Sequence, residues 1–190
     1  MSGRGAGRAD YRLWRPDLAS PPICGQEHGA GAGAVDERAR RLSHEELAVA
    51  GRLASEGHHV RSLPEGRGPG RVADLEACGV AVEVKSWLPL TERDGRAPSP
   101  RSILNKLVQA GRQAPTVVLN GYGTGLTVEA ARLGMALYSA RPDAGLLGAV
   151  RVLGDGFDLA WTRRPELATG HSYPRARTVR PEMVDFGMGR

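Results

Sequence analysis

A short hairpin around Cys78-Gly79 places the strongest constraint on the fold of this chain. The dipeptide separates two runs of strand-forming residues, and glycine readily adopts the positive φ that a two-residue hairpin turn requires. Such a turn fixes the register and makes Ala77 the partner of Val80. Three residues further from the turn, Asp74 then faces Glu83. The sequence therefore predicts an antiparallel pair in which two carboxylates are directly opposed.

The opposed carboxylates predict a site for a cation. Like charges that face each other across two strands destabilise a sheet unless something lies between them, and divalent ions such as Mg²⁺ take carboxylate oxygens. Side chains alternate along a strand, so Lys85 lies on the same face as Glu83, whereas Val82 and Val84 point to the opposite, core face. The face that carries Asp74 thus combines two metal ligands with an ammonium group.

Lysine is rare in this chain, which makes Lys85 informative. All but two of the 26 Lys and Arg residues are arginine. Arginine is a planar, permanently protonated group, whereas lysine is a compact charge whose pKa responds to burial. A lysine two residues after Glu83 on a predicted strand therefore indicates a position that needs an ammonium. The alternative is that Glu-Val-Lys lies on the wet, solvent-exposed face of an amphipathic strand and has no functional role.

The order of the predicted elements indicates an α/β (α+β) fold. Ser43 and Glu46 form a capping box at the start of a helix, and glycines, prolines and alternating apolar residues mark the elements after it. Their predicted bounds are a helix to about residue 56, strands at 58–63, 72–77 and 80–87, a helix at 101–113, a strand at 116–119, a helix at 128–138, and a hairpin over 149–162. This α-β-β-β-α-β order predicts a mixed sheet with helices on its faces.

Composition divides the chain into three parts. Residues 1–40 are rich in Gly, Ala and Arg and read as a flexible leader, 41–162 form the predicted domain, and 163–190 form an Arg/Pro-rich tail. We expect both termini to be disordered.

The Asp74…Glu83-x-Lys85 pattern, in this order of elements, resembles the PD-(D/E)xK nuclease superfamily, whose restriction-endonuclease-like fold the chain is then expected to share. Within it, the chain is most similar to the tRNA nuclease toxin domain of CdiA-type contact-dependent inhibition proteins. The shared string comprises Glu-Gly-His-His-Val, Pro-Glu-Gly before Asp74, then Asn105, Gln113-Ala and Val-Val-Leu-Asn. It covers roughly residues 43 to 140.

The resemblance implies roles for four catalytic residues. Asp74 and Glu83 would bind a divalent metal, Mg²⁺ first, with Zn²⁺ or Mn²⁺ as alternatives. Lys85 would orient or activate the attacking water, or stabilise charge that develops on the phosphate. Glu46 matches the acid that many members carry on the first helix. Alternatively, Glu46 serves only to cap the helix, as part of the capping box.

Four polar residues on the second predicted helix are candidates for substrate binding. At helical spacing they fall along one face and could contact phosphate or bases: Asn105, Lys106, Gln109 and Gln113. A solvated polar helix face is the alternative.

Charge and resemblance together indicate a nucleic-acid partner. The net charge of +5 and pI of about 9.8 favour a polyanion. The resemblance implies a metal-dependent nuclease acting on RNA, most specifically tRNA, with a small acidic immunity protein as a partner. A DNA endonuclease of the same fold and a non-catalytic nucleic-acid-binding module remain open.

No segment of the sequence suggests a membrane association. No apolar run approaches the ~18 residues that a membrane span needs, and the N-terminus shows no apolar signal region. We therefore expect a cytoplasmic site of action, with export to a target cell as an option.

Overall fold

The structure is a computed structural model that describes residues 14–17, 33–65, 73–90 and 96–163. Within them lie eight strands and three α-helices: β1 Trp14–Asp17, β2 Ala34–Asp36, α1 His44–Ser55, β3 His59–Ser62, β4 Leu75–Ala77, β5 Val80–Ser86, α2 Pro100–Ala110, β6 Thr116–Gly121, α3 Val128–Ser139, β7 Ala149–Gly154 and β8 Phe157–Arg163, with a 3-10 helix at Pro142–Leu146. The strands form one mixed sheet in the order β1-β8-β7-β6-β5-β4-β3-β2. The predicted α/β (α+β) class and the α-β-β-β-α-β order are confirmed by α1-β3-β4-β5-α2-β6.

The β4–β5 hairpin has the register that the sequence predicts. Ala77 pairs with Val80 in the antiparallel ladder. Cys78 and Gly79 both have positive φ, 50° and 84°, as a type I′ turn requires. However, β4 begins one residue after Asp74, which therefore lies just outside the paired strand.

Helices cover both faces of the sheet. On one face α1 packs Val49 and Leu53 against a cluster that includes Val82 and Val84 of β5. On the other face, α2 and α3 pack over a second cluster, which contains the strand neighbours of Glu83 and Lys85, namely Val117 and Leu119. Both faces of β5 are therefore covered, including the one that carries Glu83, so the alternative of an amphipathic strand with a wet face is wrong. The reason is that β5 is an interior strand with a parallel neighbour, and such strands are buried on both sides.

A buried arginine ties the end of α1 to the sheet. The Arg151 side chain on β7 is 3% exposed and forms ion pairs with Glu56, the C-cap of α1, and with Asp158 on β8. Arg52 joins the same two carboxylates. These contacts raise the pKa of Arg151 although burial opposes its charge. The network fixes the position of α1, whose N-terminal end lies at the candidate site.

Two strands come from the segment predicted to be a flexible leader. β1 pairs with β8 and β2 pairs with β3, so together they form the two edges of the sheet. The prediction of a wholly flexible leader over 1–40 is wrong at these two places, because edge pairing satisfies the backbone of short segments that have little hydrophobic pattern of their own. The predicted tail from 164 onward lies outside the described residues.

Within the described residues, none of the helices is both long enough and apolar enough to cross a membrane.

Candidate active site

The capping box at the start of α1 also brings an acidic side chain to the site. Ser43 Oγ accepts the Glu46 backbone N–H at 3.2 Å, and Glu46 Oε2 accepts the Ser43 backbone N–H at 2.8 Å. The predicted capping box is therefore confirmed. Because the Glu46 carboxylate also faces Arg40 and Asp74, its capping role does not exclude a role at the site.

Arg40 holds two of the carboxylates. Its Nη1 and Nη2 donate to the two Glu46 carboxylate oxygens at 2.7 and 2.8 Å, and Nη2 also lies 3.5 Å from Asp74 Oδ1. Its Nε donates to the Leu63 carbonyl at 3.0 Å, which fixes the plane of the guanidinium. Bidentate pairs of this kind are stronger than single hydrogen bonds. Sequence reasoning missed Arg40 because nothing distinguishes it from the many other arginines.

Asp74 occupies the point where β4 and β5 stop pairing. Its Oδ2 accepts the backbone N–H of Val84 at 2.9 Å, and its own carbonyl accepts the Leu63 N–H at 3.0 Å. The Val84 N–H thus donates to a carboxylate oxygen, where a longer β4 would have offered a backbone carbonyl as the acceptor. This contact places Asp74 next to Glu83, as the register predicted, although outside the ladder.

Glu83 is completely buried and forms an ion pair with Lys85. Its side chain is 0% exposed, and Lys85 Nζ contacts Glu83 Oε1. Glu83 Oε2 is buried with no hydrogen-bond partner among the described residues. The alternative interpretation of Glu-Val-Lys as decoration on a wet face is therefore wrong for Glu83. A buried carboxylate oxygen without a hydrogen bond is unfavourable unless the carboxyl group is protonated or the oxygen binds a ligand.

The three carboxylates differ in their affinity for protons. Burial raises the pKa of Glu83 to about 7, against the opposing effect of Lys85, and the nearby charge of Asp74 adds to the rise. Burial also raises the pKa of Asp74, although the Val84 N–H opposes it. For Glu46, burial acts in the same direction, but the hydrogen bonds from Arg40 and Ser43 outweigh it and lower the pKa. Such divergent environments are typical of acid–base sites.

These residues surround an open cleft of about 390 Å³ between the start of α1 and the end of β5, whose walls include Glu45, Glu46, Asp74, Lys85, Trp87 and Leu88. Glu83 is enclosed and reaches the cleft through its ion pair with Lys85. Glu46 comes from the helical layer on one face of the sheet, and Glu83 points toward the other face. Asp74, which directly precedes β4, lies close to both of these carboxylates.

The four predicted substrate-binding residues do not share one environment. Asn105 and Gln109 are exposed on α2, whereas Lys106 is partly buried with its Nζ 5.0 Å from the centre of the Trp87 ring. Trp87 lines the cleft, so Lys106 is the member connected to it. Gln113 lies beyond the end of α2, which the prediction placed three residues too late. The helix ends at Ala110, and Gly111 is its C-cap with a right-handed backbone.

The site offers two carboxylates to a divalent cation. Across the described residues, no group of three or more His, Cys, Asp and Glu side chains is arranged to hold a metal ion. Mg²⁺ is commonly bound through one or two carboxylates, with water and substrate phosphate as the other ligands. Asp74, at the cleft wall, and the enclosed Glu83 are two such carboxylates, and Glu83 Oε2 is the oxygen without a hydrogen bond.

Comparisons with known proteins give one structural likeness. No protein-family model matches the chain, and no curated protein matches it. Among solved structures, the fold is similar to one described as "CdiA-CT/CdiI toxin and immunity complex from Burkholderia pseudomallei", with 19% identity, a TM-score of 0.45, and coverage of 68% of this chain and 98% of that one. At this identity and TM-score the likeness assigns no function.

Proposed function

We propose that this protein is a metal-dependent nuclease that hydrolyses phosphodiester bonds in RNA, with tRNA as its substrate, and that it acts as a toxin. The observation that carries the proposal is the convergence of Asp74, the buried Glu83 and Lys85 beside one cleft. A structural ion pair alone does not explain why Glu83 Oε2 is buried without a partner.

Each residue has a role that follows from its contacts. Asp74 and Glu83 would hold Mg²⁺, which when bound polarises a phosphate and lowers the pKa of a bound water. Lys85 compensates the charge of Glu83 and lies at the cleft wall, where an ammonium stabilises charge that develops on a phosphate. Arg40 is a positioning residue, because it holds Glu46 and Asp74 in fixed orientations.

Charge and motif support the choice of substrate. The net charge of +5 favours a polyanion. The choice of tRNA, and of a toxin, rests on the motif string from Glu-Gly-His-His-Val to Val-Val-Leu-Asn. A toxin that acts in the cytoplasm also requires protection of the cell that makes it. The proposal therefore includes a small acidic immunity protein, whose charge would complement the net positive charge of the chain.

The decisive experiment incubates the purified protein with total tRNA and, separately, with plasmid DNA, in Mg²⁺ or in EDTA. We expect discrete tRNA fragments that disappear with EDTA and with Glu83→Gln. Glu76→Gln is the matched control, because Glu76 lies on the same hairpin and pairs with Arg61 at 2.8 Å. It should cleave like the unmodified protein.

The other outcomes would each replace the proposal. Cleavage of DNA and not of RNA would make the protein a DNA endonuclease of restriction or repair type. Binding of nucleic acid without cleavage in Mg²⁺, Mn²⁺ or Zn²⁺ would make it a non-catalytic binding module.

The immunity partner has a separate test. Expression of the protein should arrest growth, and co-expression with the product of the adjacent gene should restore it. Glu83→Gln should be harmless on its own. If the adjacent gene product neither binds the protein nor reduces its toxicity, it is not the partner.

A further inference from the structure

An exposed aromatic residue lies at the same edge of the sheet as the cleft. β5 and β6 are parallel, so their carboxyl ends emerge together. Tyr122 directly follows β6 and is 41% exposed, and Leu88 follows β5 and is 55% exposed. The Leu90 N–H donates to the Gly123 carbonyl at 3.0 Å, so the two segments run side by side.

The backbone of Tyr122 is held in place although its ring is exposed. Asn120 is buried and accepts the Tyr122 N–H at 3.2 Å, and its side-chain amide lies 3.4 Å from the carbonyl of Glu45 in the cleft wall. The next N–H, that of Gly123, donates to the Asp155 carboxylate at 3.0 and 3.1 Å. An aromatic ring on a fixed backbone loses little conformational freedom when a ligand stacks on it.

We propose that Tyr122, together with Leu88, forms a stacking platform for an unpaired base next to the phosphate that enters the cleft. This inference rests on the proposed nuclease function and narrows the substrate to a single-stranded segment, such as a loop. Two observations favour a base as the occupant. Leu88 lines the cleft, and Asn120 contacts both the Tyr122 backbone and the carbonyl of Glu45 in the cleft wall, so one strand can place a phosphate in the cleft and its neighbouring base at Tyr122. The chain is also net positive.

The physical reason for single-stranded RNA is access to the base. A base in a duplex has its faces covered by neighbouring pairs, whereas an unpaired base can stack on an aromatic side chain. Such stacking is worth about 1–3 kcal/mol per base and tolerates any sequence. A platform of this kind would prefer single-stranded RNA to duplex RNA and would not prefer a particular base.

The test uses a short single-stranded RNA that contains 2-aminopurine, whose fluorescence falls when it stacks, with EDTA present to prevent cleavage. We expect quenching by the unmodified protein and by Tyr122→Phe. We expect Tyr122→Ala to lose the quenching and to bind about tenfold more weakly. Binding to a duplex of the same length should be unchanged. Leu133→Ala on α3 is the matched control, because Leu133 is 57% exposed.

Each result separates the platform from the nuclease proposal. If the protein cleaves RNA but Tyr122→Ala binds the single strand as tightly as the unmodified protein, the platform is refuted and the nuclease stands. If Leu133→Ala weakens binding as much as Tyr122→Ala does, the effect is not specific and the platform is also refuted. If quenching depends on Tyr122 but no RNA is cleaved, the platform stands and the nuclease is refuted.

Discussion

The Asp74 carboxylate accepts the Val84 backbone N–H at 2.9 Å, which places it beside Glu83 at the point where two strands separate. The sheet backbone, rather than a long side chain or a loop tip, therefore sets the distance between the two proposed metal ligands. Sites built on strands and helices keep their geometry better than sites built on loops. Arg40 adds a second constraint on the same carboxylate from the segment before α1.

Replacing Lys85 by alanine is expected to reduce cleavage of tRNA by about 100-fold or more, because it removes the positive charge that we propose stabilises the reacting phosphate. Lys85→Arg should recover little, since a guanidinium is larger, planar and hydrogen-bonds in a fixed geometry. Single-turnover rates would measure both effects, with circular dichroism to verify folding. Full activity in folded Lys85→Ala would remove Lys85 from the mechanism.

Because of Glu83, we expect the free energy of unfolding to depend on pH in the absence of metal. Its pKa rises from 4.5 to about 7 in the folded protein. Between these values the folded state keeps a proton that the unfolded state releases, so the stabilisation is present at low pH and is lost as the pH rises through about 7. Between pH 6 and pH 8 we expect a loss of about 1 kcal/mol in the free energy of unfolding. Urea denaturation would measure it, and Glu83→Gln should lack this component.

Mg²⁺ should counteract that loss. A cation that binds the folded protein and not the unfolded chain raises the melting temperature as its concentration rises. At pH 8 we expect a larger increase for the unmodified protein than for Glu83→Gln or Asp74→Asn. Thermal scanning would measure the melting temperatures. Equal increases in the melting temperature of all three proteins would show that the ion binds elsewhere.

Arg40→Ala should destabilise the protein by about 2 kcal/mol, because it leaves two partly buried carboxylates without their partner. Arg38→Ala provides the matched control. The Arg38 side chain is 90% exposed and pairs with Asp36, so its loss should leave the stability nearly unchanged. Chemical denaturation would compare them. A similar effect from both variants would mean that Arg40 does not hold the site together.

Gly134 should be essential to the packing of α2 against α3. A Cβ at this position would meet the Ile103 side chain at 2.6 Å, so Gly134→Ala should destabilise the protein by about 1–3 kcal/mol. Gly51, exposed on α1, has nothing within 4 Å of its Cβ position, and Gly51→Ala should stabilise by about 0.5–1 kcal/mol. Melting temperatures would reveal these opposite signs. Any gain in stability from Gly134→Ala would contradict the close packing.

Local patterns predicted the central hairpin and the start of α1. The Cys78-Gly79 turn and the Ser43–Glu46 capping box each depend on residues close together in sequence, so their chemistry can be recognised without the fold. The same patterns predicted that Asp74, Glu83 and Lys85 lie near one another, and in the structure Asp74 contacts the Val84 backbone while Lys85 contacts Glu83.

Contacts between distant segments could not be predicted in this way. Arg40 reaches Asp74 only because β3 and β4 bring their segments together, and its sequence neighbourhood gives no sign of this. The burial of Glu83 depends on helices that cover both faces of β5. The strand at 34–36 exists because β3 offers it an edge, and its own residues do not favour a strand.

Trp14 of β1 pairs with Arg163 of β8, so this part of the sheet joins two segments that are far apart in the sequence. Among the described strands β1 is made first and β8 last, so this edge of the sheet can pair only after the strands between them have been made. Contacts of such long sequence separation also slow folding. Until β1 and β8 pair, each of them leaves a row of backbone N–H and C=O groups open to another strand at this edge.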